Sequence, residues 1–205
     1  MTTKRIMSPL RVAVADDERD TLEFLQEALP RLGHEVVIAA RSGKELVEGC
    51  APARPDLIIT DIKMPDLDGI QEVEQLERAR PVPVILVSAH HDAELIVRAG
   101  TDPVMAYLLK PIREADLSTA IYLAVLRFEN FQKLAKEAAS LRQALEDRKL
   151  IERAKGILMK RARIDEPEAF RRLQRLASDK NKKLVEIAQI LLIAEEAFKP
   201  ATERV

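Results

Sequence analysis

This sequence of 205 residues predicts a doubly wound five-stranded parallel α/β sheet, followed by a long coiled-coil helix and an all-α three-helix bundle. Three observations lead there. Short apolar runs alternate with segments of helical periodicity up to about residue 125, the pattern of parallel strands joined by crossover helices. From Arg113 to Lys155 there is neither glycine nor proline, and good helix formers dominate. The remaining stretch holds three helical patterns separated by Pro167 and by a turn at Asp179 to Lys183.

Taken in order, Arg11 to Ala15 is a short buried strand that ends on Asp16, Asp17 and Glu18. Thr21 to Leu32 carries Leu22, Leu25, Leu29 and Leu32 at helical spacing, and Gly33 closes that helix because a residue just past a helix end often needs positive φ. Glu35 to Ala40 is the second strand and Gly43 to Cys50 a short helix. Leu57 to Thr60, the third strand, delivers Asp61 to the point where the run breaks into a loop marked by Pro65, Asp66 and Gly69. A helix over Ile70 to Arg78, a fourth strand over Val84 to Ser88 and a short helix over Ala93 to Ala99 come next. Ala106 to Leu109 is the fifth strand, followed by Lys110-Pro111 and a helix from about Glu114.

Composition narrows the function. Hydrophobic residues at 47% and charged residues at 33% suit a soluble globular chain. No apolar stretch of about 18 residues occurs, so no membrane helix is expected. Met1 to Ser8 has no apolar core, so no signal peptide is expected. The single Cys50 excludes an internal disulfide framework and suits a cytoplasmic protein. With 3% aromatics and no tryptophan, a stacking platform for bases is disfavoured. Charge is unevenly spread. Residues 1–126 carry 14 Lys and Arg against 21 Asp and Glu, whereas residues 147–205 carry 15 against 10. An acidic half and a basic half point to two tasks, one of which can involve a polyanion.

In open parallel sheets, ligands sit outside the carboxyl ends of the strands. That edge is expected to collect Asp16, Asp17, Asp61, Ser88 and Lys110. Three clustered carboxylates repel one another unless a cation lies among them, and oxygen-only ligands suit Mg²⁺. A lysine and a hydroxyl beside them are suited to gripping a phosphoryl group. Asp61 is then the nucleophile, forming an acyl phosphate. Asp66 and Asp68 beside Gly69 read as turn residues, and His90 and His91, with no Cys or third His nearby, as a solvated loop.

The D-D pair, D-I-K-M-P-D-L-D-G, V-S-A and Y-L-L-K-P together resemble the receiver domain of bacterial two-component response regulators, over residues 10–125. The resemblance implies that Asp61 accepts a phosphoryl group from a sensor histidine kinase. It implies that Asp16 and Asp17 hold Mg²⁺ with Asp61 and the backbone carbonyl of Lys63. Ser88 and Tyr107 become the switch pair, Lys110 the phosphoryl contact, and Pro111 follows a cis bond. The chain departs from the family pattern at T-D-P-V, where Pro103 suggests an altered helix before the fifth strand.

Over residues 126–149, Phe131, Leu134, Ala138, Leu141 and Leu145 alternate in steps of three and four, an a/d seam expected to dimerise the chain as a coiled coil. Beyond it, A-K-G-I-L-M, E-A-F-R-R-L-Q-R-L-A and N-K-K-L-V-E-I-A resemble the ANTAR domain, an RNA-binding output module of antitermination regulators, over roughly residues 145–197, with the three-helix domain itself expected over residues 150–198. The resemblance implies binding to paired RNA stem-loops, with contacts drawn from Lys155, Lys160, Arg161, Arg171, Arg175, Lys182 and Lys183. Ala169, Phe170, Leu173, Leu176 and Ala177 are expected as the apolar face of the second bundle helix, and Val185, Ile187, Ala188, Leu191, Leu192 and Ala194 as that of the third. Three other readings stay open. A DNA-binding transcriptional regulator with a helical output also fits three helices and a basic surface. A phosphatase-type enzyme is disfavoured because Lys63 stands where such hydrolases carry a second aspartate. In the third, the bundle docks a protein.

Overall fold

The computed structural model describes residues 8–62, 64, 81–89 and 104–197. It divides into two compact units, Met1–Lys133 and Leu134–Val205. The first contains β1 (Arg11–Ala15), α1 (Arg19–Arg31), β2 (Glu35–Ala40), α2 (Gly43–Ala53), β3 (Leu57–Asp61), β4 (Val84–Ser88) and β5 (Val104–Leu109). A continuous helix, α3 (Glu114–Ala162), begins in the first unit and ends in the second, where α4 (Glu166–Asp179) and α5 (Leu184–Ala197) follow. The sheet order is β2-β1-β3-β4-β5, and every pairing is parallel. The helices expected over 70–78 and 93–99 lie outside the described residues, as do Lys63, Pro65, Asp66, Asp68, Gly69, His90, His91 and Pro103.

Alternation along the strands builds two cores. Val12, Val14, Leu57, Ile59, Ile85 and Val87 face one side, where they pack with Leu25 and Leu29 of α1 and Leu117, Ile121 and Phe128 of α3. Ala13, Ala15, Ile58, Val84 and Leu86 face the other, with Leu46 and Cys50 of α2. Burial on both faces explains why the strands read as continuous apolar runs. The small Ala13 and Ala15 are fully covered on this second face.

Helix ends follow the local chemistry. Gly33, at φ 90°, closes α1: its N–H donates to the Pro30 carbonyl and that of His34 to the Leu29 carbonyl. Asn181, at φ 50°, closes α4 in the same pattern, with Asn181 N–H to Ser178 and Lys182 N–H to Ala177. Asp165 caps the start of α4 by accepting from Glu168 N–H at 2.9 Å, two residues before Pro167. At α2, Ser42 accepts from Glu45 N–H while the Glu45 carboxylate accepts from Arg41 N–H at 2.8 Å.

In the second unit, Ala154 of α3, Leu173 and Ala177 of α4 and Ile187 and Ala188 of α5 form the core, flanked by Ile151, Leu158, Leu184 and Leu191. The buried stripe is narrower than the periodicity suggested. Ala169 is buried, but Phe170 and Leu176 on α4 and Ala194 on α5 stand at the exposed rim. A bundle this small has too little interior to cover every apolar position.

Gly33→Ala places a Cβ on a left-handed backbone. The expected cost is about 1–2 kcal/mol, read as a lower urea midpoint at unchanged slope.

Candidate functional site

Four strand ends meet at one edge because the register requires it. Ala15 pairs with Thr60, Asp61 with Val87, and Ser88 with Leu109, so the next residue of each strand emerges on that edge. Backbone bonds extend the sheet a little further: Asp16 N–H donates to Ala40, Ile62 N–H to Val87, and Lys110 N–H to the Ser88 carbonyl at 2.9 Å. The last of these ties the root of the lysine to β4 immediately beside the pocket. The Lys110-Pro111 bond is cis, as the family resemblance implied.

At the centre is the Lys110 ammonium. Its Nζ lies 2.6 Å from Asp61 Oδ2, 2.9 Å from Glu18 Oε2 and 3.0 Å from Asp16. Asp16 is fully buried and Asp61 nearly so, while Asp17 is half-buried. Carboxylate oxygens of Asp16, Asp17 and Asp61 all lie within 4.8 Å of one another. Asp16 Oδ1 accepts from Glu18 N–H at 2.9 Å and from Lys110. Its Oδ2 is buried, close to the ammonium but without a directed hydrogen bond.

The electrostatics follow from these contacts. Burial pushes the Asp16 carboxyl above its usual range, against the lowering pull of Lys110 and the Glu18 N–H. Burial alone would lower the Lys110 ammonium, but its bonds to Asp61, Glu18 and Asp16 hold it above its ordinary value. The Lys110 bond holds the exposed Glu18 below the ordinary carboxylate range. Tyr107, half-buried on β5 among the second-face core, has its phenol raised by burial. Ser88 is buried at the end of β4, next to the register partner of Asp61. Glu18 stood beside the aspartate pair in the sequence without an assigned role; its place on the loop after β1 was the available signal.

The donor set fits a hard divalent cation. It is made only of carboxylate oxygens, one of them a buried acceptor lacking a directed donor. Lys110 offsets the same negative charge from the other side.

In the second unit the predicted basic residues separate. Lys155 is buried; its ammonium pairs with Glu152 at 2.8 Å and Glu166 at 2.6 Å and lies 5.9 Å from the centre of the Phe170 ring. That cation bridges α3 to the start of α4. Arg161 pairs with Glu195 on α5 at 3.0 Å, and Arg171 with Glu168 at 3.1 Å. Lys160, Arg175, Lys182 and Lys183 are exposed and, among the described residues, make no side-chain ion pair. On α3, Leu134, Leu141 and Leu145 are 64%, 72% and 54% exposed. Among the described residues no helix is long and apolar enough to cross a membrane.

A five-stranded parallel sheet with this acidic pocket and lysine defines a response-regulator receiver. The family model for the response regulator receiver domain matches residues 12–122, and that for the ANTAR domain matches residues 139–192. The chain therefore belongs to the ANTAR family of two-component response regulators. It is 40% identical to the transcriptional regulatory protein PdtaR of Mycobacterium tuberculosis over 184 residues, 90% of each chain. Among solved structures, a response regulator receiver domain from Clostridium thermocellum matches at 31% identity and a TM-score of 0.54, over 59% of this chain and 98% of that one. The receiver domain of the response regulator NarL from Mycobacterium tuberculosis matches at 28% and 0.53, over 57% and 95%.

Asp16→Asn removes a charge that the fold disfavours, so the metal-free protein is expected to gain stability at neutral pH. The sign is set by the raised carboxyl: protonated Asp16 suits the fold, and that benefit is lost as pH rises through its folded pKa. The variant's advantage in thermal midpoint should shrink as pH falls into the acid range. Added Mg²⁺ should raise the wild-type midpoint, through a gain in stability of about 1.4 kcal/mol per tenfold excess over its dissociation constant, and the variant's less.

Proposed function

We propose that a sensor histidine kinase phosphorylates this chain on Asp61 and that the modified form binds stem-loop RNA to control transcription antitermination. The observation that carries the first part is the Lys110 Nζ to Asp61 Oδ2 contact of 2.6 Å inside a pocket of three aspartates. An Asp61 carboxylate oxygen attacks the phosphorus of a phosphohistidine. The P–O bond forms, the P–N bond breaks, and the imidazole leaves with a proton. Asp16, Asp17 and Asp61 would hold Mg²⁺, which would supply charge neutralisation at the phosphoryl oxygens. Lys110 shifts its bonds from carboxylate to phosphoryl oxygen, and Ser88 and Tyr107 move with it. The catalysis is the protein's own phosphorylation and dephosphorylation, so the chain is a switch and not chiefly an enzyme.

We assign residues 10–125 to the receiver, 126–149 to a coiled-coil linker and 150–198 to the output. The division between the two compact units at 133/134 falls inside that linker. Exposed leucines at helical spacing on α3 support a homodimer, since large apolar side chains in sequence register are costly to leave in water. The exposed Lys160, Arg175, Lys182 and Lys183, with the paired Arg161 and Arg171, support phosphate contact. We leave Lys155 out of that set, because it is buried and its ammonium is already paired with Glu152 and Glu166. The protein acts in the cytoplasm, where kinase and nascent RNA meet.

Asp61→Ala should abolish acid-stable labelling by acetyl phosphate or a cognate kinase; full labelling at an aspartate in that variant would sink the assignment. Leu141→Glu should weaken the dimer on the order of 30-fold or more, because each buried leucine contributes ~2 kcal/mol; sedimentation equilibrium reads this directly. Binding of duplex DNA in preference to a two-hairpin RNA at fixed salt would replace the RNA output with a DNA-binding one.

A further inference from the structure

Two helical glycines have their surroundings resolved, and they differ. Gly49 on α2 is explained within the chain: a Cβ there would meet Ile38 Cδ1 at 3.2 Å, so the residue is small because β2 packs against it. Gly156 has no such reason. It lies inside α3, six residues before the helix's last residue, Ala162, is exposed, and a Cβ built on it would meet nothing within 4 Å. Glycine inside a helix costs stability relative to alanine, because the unfolded chain has more freedom to lose. A helix interior that carries this cost with open space above it is shaped for a neighbour from outside the chain.

The surroundings of Gly156 suggest which neighbour. Arg153, three residues before it, and Lys160, four after it, share its face of the helix. Both are exposed, and among the described residues neither makes an ion pair. Together with Ile157, Arg161 and α5 residues Leu192, Glu195 and Glu196, they line a groove of about 330 Å³. The Glu195 carboxylate in that wall is already bonded by Arg161, at 3.0 and 3.1 Å. This leaves Glu196 as the acidic group facing two uncommitted cations. Arg153, Lys160 and Arg161 outnumber Glu195 and Glu196 on this face, so a second copy presenting the same face would add to its positive charge. A polyanion would satisfy both uncommitted cations.

We propose that the Gly156 face of α3 is where the sugar-phosphate backbone of an RNA helix lies, with Arg153 and Lys160 taking phosphates on either side. This rests on the RNA-binding reading of the output unit. The wide, shallow groove of A-form RNA presents 2′-hydroxyls to a flat surface and is read by shape. A missing Cβ lets the helix backbone come close to it. Seven residues separate the two cations, about 10 Å along the helix axis.

The test uses the full chain and a pool of two-stem-loop RNAs with randomised loops. Gly156→Ala should keep or raise the thermal midpoint, since the added methyl meets nothing, and should weaken RNA binding at least several-fold; Gly156→Leu should weaken it further. Arg153→Gln and Lys160→Gln should each lower affinity and reduce the slope of log affinity against log salt by about one. Lys136→Gln, an exposed charge twenty residues away on the same helix, serves as the control and should change neither. RNA affinity equal to wild type in both Gly156 variants overturns the groove assignment while leaving RNA binding intact. A Gly156→Leu variant that changes oligomeric state at unchanged RNA affinity assigns the face to a second copy and overturns it too. A wild-type chain that retains no RNA from the pool overturns the RNA reading, and this site with it.

Discussion

The contact on which the site depends is one ammonium held against three carboxylates. Lys110 Nζ lies within 3.0 Å of Asp16, Glu18 and Asp61, and Asp16 is fully buried. Removing the cation would leave carboxylates desolvated without compensation, which in buried pairs costs about 3–5 kcal/mol. The arrangement exists only because the sheet is in register. A one-residue slip of β5 would send Lys110 to the opposite face. Two features guard against that: the Lys110 N–H bond to the Ser88 carbonyl, and the packing of Ala106 and Leu108 on one face of the sheet with Tyr107 between them on the other. Charge and packing therefore specify the same register.

Much of this was legible in the sequence because strand ends carry a local signature. An apolar run that stops on a carboxylate, a hydroxyl or a lysine marks both the strand and the edge it points to, and Asp16, Asp61, Ser88 and Lys110 all follow that rule. The boundaries were less legible. β3 includes Asp61 because Asp61 pairs with Val87, and β5 begins at Val104 because that residue pairs with Val84 across an irregular step. Pairing decides where a strand begins, and pairing is not local. The Lys155 contacts were hidden for a similar reason. Its neighbours in sequence suggested an exposed basic cluster, whereas its charge partner Glu166 and the Phe170 ring arrive from another helix. Periodicity likewise gave the facing side of α4 but not its width, so Phe170 and Leu176 were expected inside and stand at the rim.

Helix α3 shows how one element can serve several surroundings without a break. Leu117, Ala124, Phe131, Ala138 and Leu145 recur every seven residues, so the stripe that packs on the sheet continues in phase into the exposed seam. At the next repeat the chain has Glu152 in place of an apolar residue. The packing positions move to Ile151, Ala154 and Leu158, which face the bundle core. Averaged over its whole length the helix has no single apolar side, because its stripe changes direction between Leu145 and Ile151.

This phase change bears on how the proposed switch could act. Phosphorylation of an aspartate replaces a carboxylate of one negative charge with an acyl phosphate of roughly 1.5–2, a net gain of about one charge at most. In physiological salt such a charge is screened beyond about 8 Å, so it acts first on the groups that touch it. Lys110 is foremost among these, and it already divides its ammonium between Asp61, Glu18 and Asp16. A stronger anion at Asp61 draws the ammonium toward itself and weakens its hold on the other two. Its backbone N–H is fixed to β4, and α3 starts at Glu114, four residues downstream. The group that senses the added charge is thus joined by a few residues to the helix whose far end forms the core of the output unit. In the proposed switch that route runs along the helix, which carries neither glycine nor proline from Arg113 to Lys155.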